Sequence, residues 1–170
     1  MGKWVNKRGP IEANTVYTNN ILVATDTTVA LPEVTFMTAD VKAMGEMSIP
    51  LNNAIEDMEM TITKVGVDKN MTRLTAPGKK NVEVRWVQDV IKSDGTTKNE
   101  GCKAFLNVAP VTLHPGASLE VGSASENDLT FKVFRYRLVV DGEEILLVDR
   151  LAHIIKVNGI DYSRQYDSLL

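Results

Sequence analysis

The sequence predicts a mainly β protein: a β-sandwich or partly closed barrel with one short helix. Three observations carry that prediction. Residues 54–65 and 81–92 alternate apolar and polar side chains with the period of two that a half-buried strand needs. Turn signals recur between such segments, at Ser93-Asp94-Gly95-Thr96, His114-Pro115-Gly116 and Asn158-Gly159. Residues 131–140 and 143–149 are strand-like runs joined by Asp141-Gly142. That pair suits a type I′ hairpin turn, in which both central residues take positive φ.

Length and composition point to one globular domain. The chain has 170 residues, 44% of them hydrophobic and 24% charged, and a chain this long can bury close to ~70% of its unfolded surface. The formal net charge of −3 argues against a general nucleic-acid binder, which shows a basic patch. The single cysteine, Cys102, has no intrachain partner, and a reducing compartment is the simplest reading. No run approaches the ~20 apolar residues of a membrane helix, and the first residues lack an apolar signal core.

Taken in order, residues 1–19 read as an extended polar arm rather than a packed element, with Trp4 and Val5 able to dock elsewhere. Residues 21–24 form a short apolar strand. Residues 27–36 form a second, which Pro32 confines to an edge or a bulge. Residues 37–53 show no clean period. They contain Gly45, Pro50, Met37, Met44 and Met47, and read as a long functional loop. Methionines adapt to irregular contacts, so they either plug core gaps or dock on a partner.

In 54–65, Met58, Met60 and Ile62 share one face and Asp57, Glu59, Thr61 and Thr63 the other. A helix over 68–74 follows, with Asp68 as N-cap and Pro77-Gly78 as stop. Residues 81–92 and 103–112 are strands, and 118–127 is a polar connection into the C-terminal hairpin. A two-residue turn there pairs Val140 with Glu143, Leu138 with Ile145 and Tyr136 with Leu147. The second face then holds Arg135, Arg137, Leu146 and Val148. It is neither polar nor plainly core, so it is covered either within the domain or by another subunit. Residues 151–157 are a strand or a short crossing segment.

The residues offer no active site. His114 precedes a proline in a turn, and His153 lies in an apolar segment. No cysteine cluster or His-x-x-x-His spacing provides a metal site, and no phosphate loop or nucleophile elbow is present. Glu56-Asp57 and Glu143-Glu144 are strand neighbours, which point to opposite faces. Cys102 follows Gly101 in a predicted loop with no histidine near it in sequence. A binding or structural protein without cofactor is expected.

One constellation resembles a known family. Tyr136, Leu138, Asp141, Gly142 and Asp149, then Val157-Asn158-Gly159-Ile160-Asp161, are similar in order and spacing to the end of the contractile-tail tube proteins of phages and R-type bacteriocins. The Leu31-Pro32 strand extends the resemblance. It implies a structural subunit, not an enzyme, whose strands join an intersubunit β-barrel in a homo-hexameric ring. Such rings stack into a conduit for DNA or ions. It implies a sheath protein around the tube, baseplate or initiator proteins at its end, a tape-measure protein or DNA inside, and no membrane in the resting state. The particle would be a virion or bacteriocin assembled in the bacterial cytoplasm. On this resemblance Glu59, Thr61 and Thr63 face the lumen, and Met37, Val41, Met44, Met47 and Ile49 contact the next ring or subunit. The alternative is a monomeric β-barrel binding module. Residues 1–19 and the tail after Asp161 depart from the family pattern.

Overall fold

The computed structural model describes residues 6–116 and 118–170; Trp4 and Val5 lie outside them. The strands are β1 (Lys7–Thr18), β2 (Ile21–Thr25), β3 (Thr28–Ala30), β4 (Phe36–Lys42), β5 (Glu46–Ile55) and β6 (Met58–Val65). The helix α1 (Met71–Thr75) precedes β7 (Lys80–Ile91), β8 (Thr97–His114), β9 (Glu126–Val140), β10 (Glu143–Asp149), β11 (Ile154–Val157) and β12 (Ile160–Asp161). The fold is mainly β and sandwich-like, as the alternation predicts.

Two long strands make the sandwich. β9 pairs with β8 along one edge; its other edge takes β6 over residues 126–133 and β10 over residues 135–140. Bulges fall where the partner changes, at Asn107/Val108 and again at Pro110/Thr112 of β8. A bulge bends a strand and increases its twist, so β8 and β9 pass from a large layer into a small one. The large layer runs β2-β1-β7-β8-β9-β10-β11-β12, and the small one β3-β6-β9-β8. Val16, Val84, Ala104, Leu106 and Tyr136 of the large layer meet Met58, Met60, Ile62, Leu129 and Phe131 of the small one in a single buried core. The two-layer arrangement lets each amphipathic strand bury one face. Closure is incomplete, because among the described residues β3 pairs only with β6.

Three local predictions change. Residues 7–18 are not a free arm: β1 pairs with β7 and β2, and Val16 is fully buried. A ladder bonds through backbone groups, so polar side chains do not prevent it. Pro10, which has no N–H to donate, falls in a register shift of β1. Cys102 lies buried in β8 rather than in a loop. Residues 54–65 are two elements, since β5 ends at Ile55 and β6 begins at Met58.

The short helix is held by side chains at both ends. Asp68 Oδ1 accepts from Met71 N at 3.2 Å, and Asp68 Oδ2 accepts from Lys64 Nζ at 2.5 Å. Lys80 Nζ donates to the carbonyls of Arg73, Leu74 and Ala76 at the far end, satisfying groups the helix leaves open. Met71 and Leu74 are buried against the core.

Candidate functional site

The small layer presents a polar face away from the core. β6 alternates without a break: Met58, Met60 and Ile62 are buried at 1%, 0% and 0% exposure, while Glu59, Thr61 and Thr63 point to the other side. Register aligns these three with residues of β9 and β8. Glu59 sits opposite Lys132; Thr61 opposite Thr130, which is opposite Thr112; Thr63 opposite Asp128, which is opposite His114. On β3, Thr28 and Ala30 extend two of these rows. The result is a surface of hydroxyls with charges at its ends.

The charges differ from what β6 alone suggests. A repeated Glu59 would make a negative band, but its carboxylate accepts a hydrogen bond from Lys132 Nζ. That contact raises the Lys132 pKa above the ordinary lysine value. Asp57 likewise pairs with Arg150 Nη1 at 2.5 Å, which holds its carboxyl below the ordinary value. Asp128 accepts from the Thr63 hydroxyl at 3.0 Å. The carboxylates of this face free of an ion pair among the described residues are therefore Asp128 and Glu126 of β9. The sequence held this signal, since Glu126, Asp128, Thr130 and Lys132 alternate with Leu129, Phe131 and Val133. Beginning the strand at Phe131 hid it.

Among the described residues the face has two open edges. One is β3. The other is the last six residues of β8, 109–114, because the β7–β8 ladder stops at Lys80 and Val108. Each ladder between them is antiparallel, so the four strands alternate in direction.

Residues 37–53 are not a loop. β4 and β5 form a separate two-stranded hairpin that turns at Met44-Gly45, both with positive φ. Register pairs Ala39 with Ile49 and Val41 with Met47 on one face, and Asp40 with Ser48 and Lys42 with Glu46 on the other. Ser48 Oγ donates to Asp40 at 2.6 Å on the polar side. Met37, Val41, Met47 and Ile49 are between 42% and 58% exposed, and Met44 is fully exposed at the tip. The hairpin is amphipathic, and its apolar face is largely exposed beyond the base, where Ile55 packs against the core. The bulge between Phe36 and Thr38, and Pro50, break the period along the chain.

The Asp141-Gly142 turn forms as expected, with φ of 49° and 81°. The pairing beyond it does not. A register shift between Glu144 and Leu146 leaves Ile145 without a partner on β9, so Leu146 faces Leu138, Leu147 faces Arg137 and Val148 faces Tyr136. A one-residue slip exchanges the faces. Val148 is buried and Leu146 packs on the core, so neither shares a face with Arg135 and Arg137. Those arginines lie on the outside of the large layer. Arg137 stacks 5.4 Å from the Phe105 ring centroid and pairs with Glu144 at 2.6 Å, while Arg135 is 3.8 Å from Asp149. Arg85 over Tyr17, at 4.3 Å, repeats the motif on β7 and β1.

Among the described residues, no group of three or more His, Cys, Asp or Glu could hold a metal. No helix among them is long and apolar enough to cross a membrane.

Comparison with known proteins matches these features to one family. The family model described as phage tail tube protein FII matches residues 10–170. No curated protein matches the chain. Among solved structures it is similar to a chain of the PVC sheath/tube terminator of an extracellular contractile injection system in the extended state. That match has a TM-score of 0.52 and 12% identity, covering 76% of this chain and 95% of the other. A chain of the PVC sheath-tube complex gives 0.52 at 15% identity, over 76% and 90%. A chain of the anti-feeding prophage tube-terminating cap gives 0.50 at 15%, over 74% and 87%. At such identities these likenesses concern the fold.

Proposed function

The chain belongs to the phage tail tube protein FII family, and on that premise we propose that it is the repeating subunit of a hexameric ring whose stacked copies form a hollow conduit. As a family member it is a structural tail component. The observation that carries the finer reading is the small layer, with its hydroxyl face and two unpaired edges. Four strands of alternating direction repeat without conflict: β3 of one copy runs antiparallel to residues 109–114 of β8 in the next. Such a head-to-tail contact closes into a ring when the rotation closes. Closure also removes the exposed edges, which invite uncontrolled pairing.

Glu59, Thr61 and Thr63 then line the lumen. A wall of hydroxyls with its one lysine paired offers phosphates little counterion release, so DNA or a tape-measure protein slides rather than sticks. The apolar face of the β4–β5 hairpin, with Met37, Val41, Met44, Met47 and Ile49, docks on an adjacent copy. The outside of the large layer, with Arg135 and Arg137, is left for a surrounding sheath. The similar PVC chain comes from a sheath-tube complex, which supports that partner. Baseplate or initiator proteins would start the tube, in a particle assembled in the bacterial cytoplasm.

The test is chemical protection. Thr61→Cys is made on a Cys102→Ser background, and tubes are treated with a thiol reagent too bulky for the bore. Free subunits should label readily and tubes should not. Rapid labelling along intact tubes places this face outside and rejects the reading.

A further inference from the structure

The core is open at one side, beneath the free edge of β3. A cavity of about 150 Å³ there is lined by Ile11, Asn14, Val84 and Trp86 of the large layer and by Val29 and Leu31 of the small one. Ile11 is 54% exposed, although register places it on the core side of its strand, opposite Gln88. Asn14 bridges the gap, donating through Nδ2 to Thr27 O at 2.5 Å and accepting from Thr27 N at 2.9 Å. A globular core seldom leaves a tryptophan and four aliphatic side chains around an open mouth.

We infer that this cavity is a socket filled by Leu113, with Val111 beside it, of a neighbouring copy. The inference rests on the ring reading above. Register supplies the argument. Val29 faces Ile62, Ile62 faces Leu129, and Leu129 faces Leu113, one row across the core side of the small layer. Ile62 and Leu129, in the middle, are fully buried; Leu113, at the end, is 41% exposed and Val111 54%. Placing the β8 edge of one copy against β3 of the next extends this row past Val29. The incoming Leu113 then points to the core side, where Leu31, Ile11 and Trp86 wait. One subunit thus carries the plug on one edge and the socket at the other, each incomplete alone. Ring formation completes a core, and side-chain burial adds to backbone pairing.

Three measurements test it. Leu113→Ala should leave the subunit folded by circular dichroism, because the side chain is half exposed in isolation. The concentration needed for assembly should rise about tenfold or more, the size expected for removing most of a buried leucine. On a Trp4→Phe background, Trp86 emission should shift to the blue when wild-type subunits assemble, and less so in the Leu113→Ala tubes. In parallel, Leu31→Cys and Leu113→Cys on Cys102→Ser should form disulfides between copies in assembled tubes. Tubes that form with an unchanged critical concentration, an unshifted Trp86 and no cross-link overturn the socket while leaving the ring reading in place. Wild-type protein that never forms rings or tubes overturns both.

Discussion

Strand β6 and the β4–β5 hairpin obey the same alternation and meet different fates. Both put apolar residues on one face and polar residues on the other. In β6 the apolar face, Met58, Met60 and Ile62, is sealed in the core. In the hairpin the apolar face, Met37, Val41, Met47 and Ile49, is about half exposed. A two-stranded hairpin is marginal alone in water, and its apolar face adds cost unless something covers it. Period-2 patterning therefore reports that one face is apolar. It does not report whether the cover comes from the same chain.

The largest effect should come from placing the same charge on the two faces. Ile62→Asp buries a carboxylate without a partner and should cost more than about 4 kcal/mol, enough to unfold most subunits. Val41→Asp lies on an exposed strand and should change subunit stability by less than about 0.5 kcal/mol, yet block polymerisation. Urea melts and negative-stain microscopy read the two outcomes. If Val41→Asp also unfolds the subunit, the hairpin belongs to the core and the contrast fails.

A smaller effect is expected at the C-terminal hairpin, whose cover is internal like that of β6. Gly142 takes φ of 81° with nothing within 4 Å of where a Cβ would stand, so the strain of a substitution is conformational, not steric crowding. Gly142→Val should cost about 1–2 kcal/mol, because a β-branched residue is forced into the left-handed region. Val148 and Leu146 would follow any change in register, since the turn and the bulge after Glu144 together set which face they occupy. Equal melting of variant and wild type would show that the turn does not specify the pairing.

These contrasts explain what the chain disclosed before its structure. The Asp141-Gly142 turn and the faces of β6 were legible because local chemistry decides them. The bulge at Ile145 was not, because it satisfies the core on both sides of the hairpin and leaves no mark in the turn. The β4–β5 hairpin was missed because Pro50 and the bulge after Phe36 interrupt its period. β1 reads in the sequence as part of an extended arm because its polar side chains conceal a strand held by backbone bonds. Half of the hydroxyl face was missed because a strand starting at Phe131 omits Asp128 and Thr130. Pro32 already pointed to an edge for the strand that becomes β3, but the β8 edge could not be read from sequence, since it depends on where the β7–β8 ladder ends.

The smallest effect concerns the end of β6, where its alternation continues into a charge. Lys64 occupies an inward position and is 8% exposed, whereas the hairpin's Lys42 sits in solvent. The Lys64 ammonium is tolerated because it donates to Val23 O at 3.4 Å and to Asp68 at 2.5 Å. That hydrogen bond from Lys64, together with the backbone N–H of Met71, holds the Asp68 carboxyl below its ordinary value of 3.8. A carboxylate with a depressed folded pKa contributes stability that is present above its unfolded pKa and lost as pH falls through the folded one. The contribution should be constant from neutral pH down to about pH 4 and then decline. Asp68 is half exposed, so its loss should cost only about 0.5–1 kcal/mol. Asp68→Asn should lower the melting temperature slightly at pH 7 and flatten the decline below pH 4. The corresponding charge change on the hairpin, Lys42→Gln, should leave the subunit's melting unchanged across the same range. Identical pH profiles for wild type and Asp68→Asn would show that Lys64 is held by the Val23 carbonyl and burial alone.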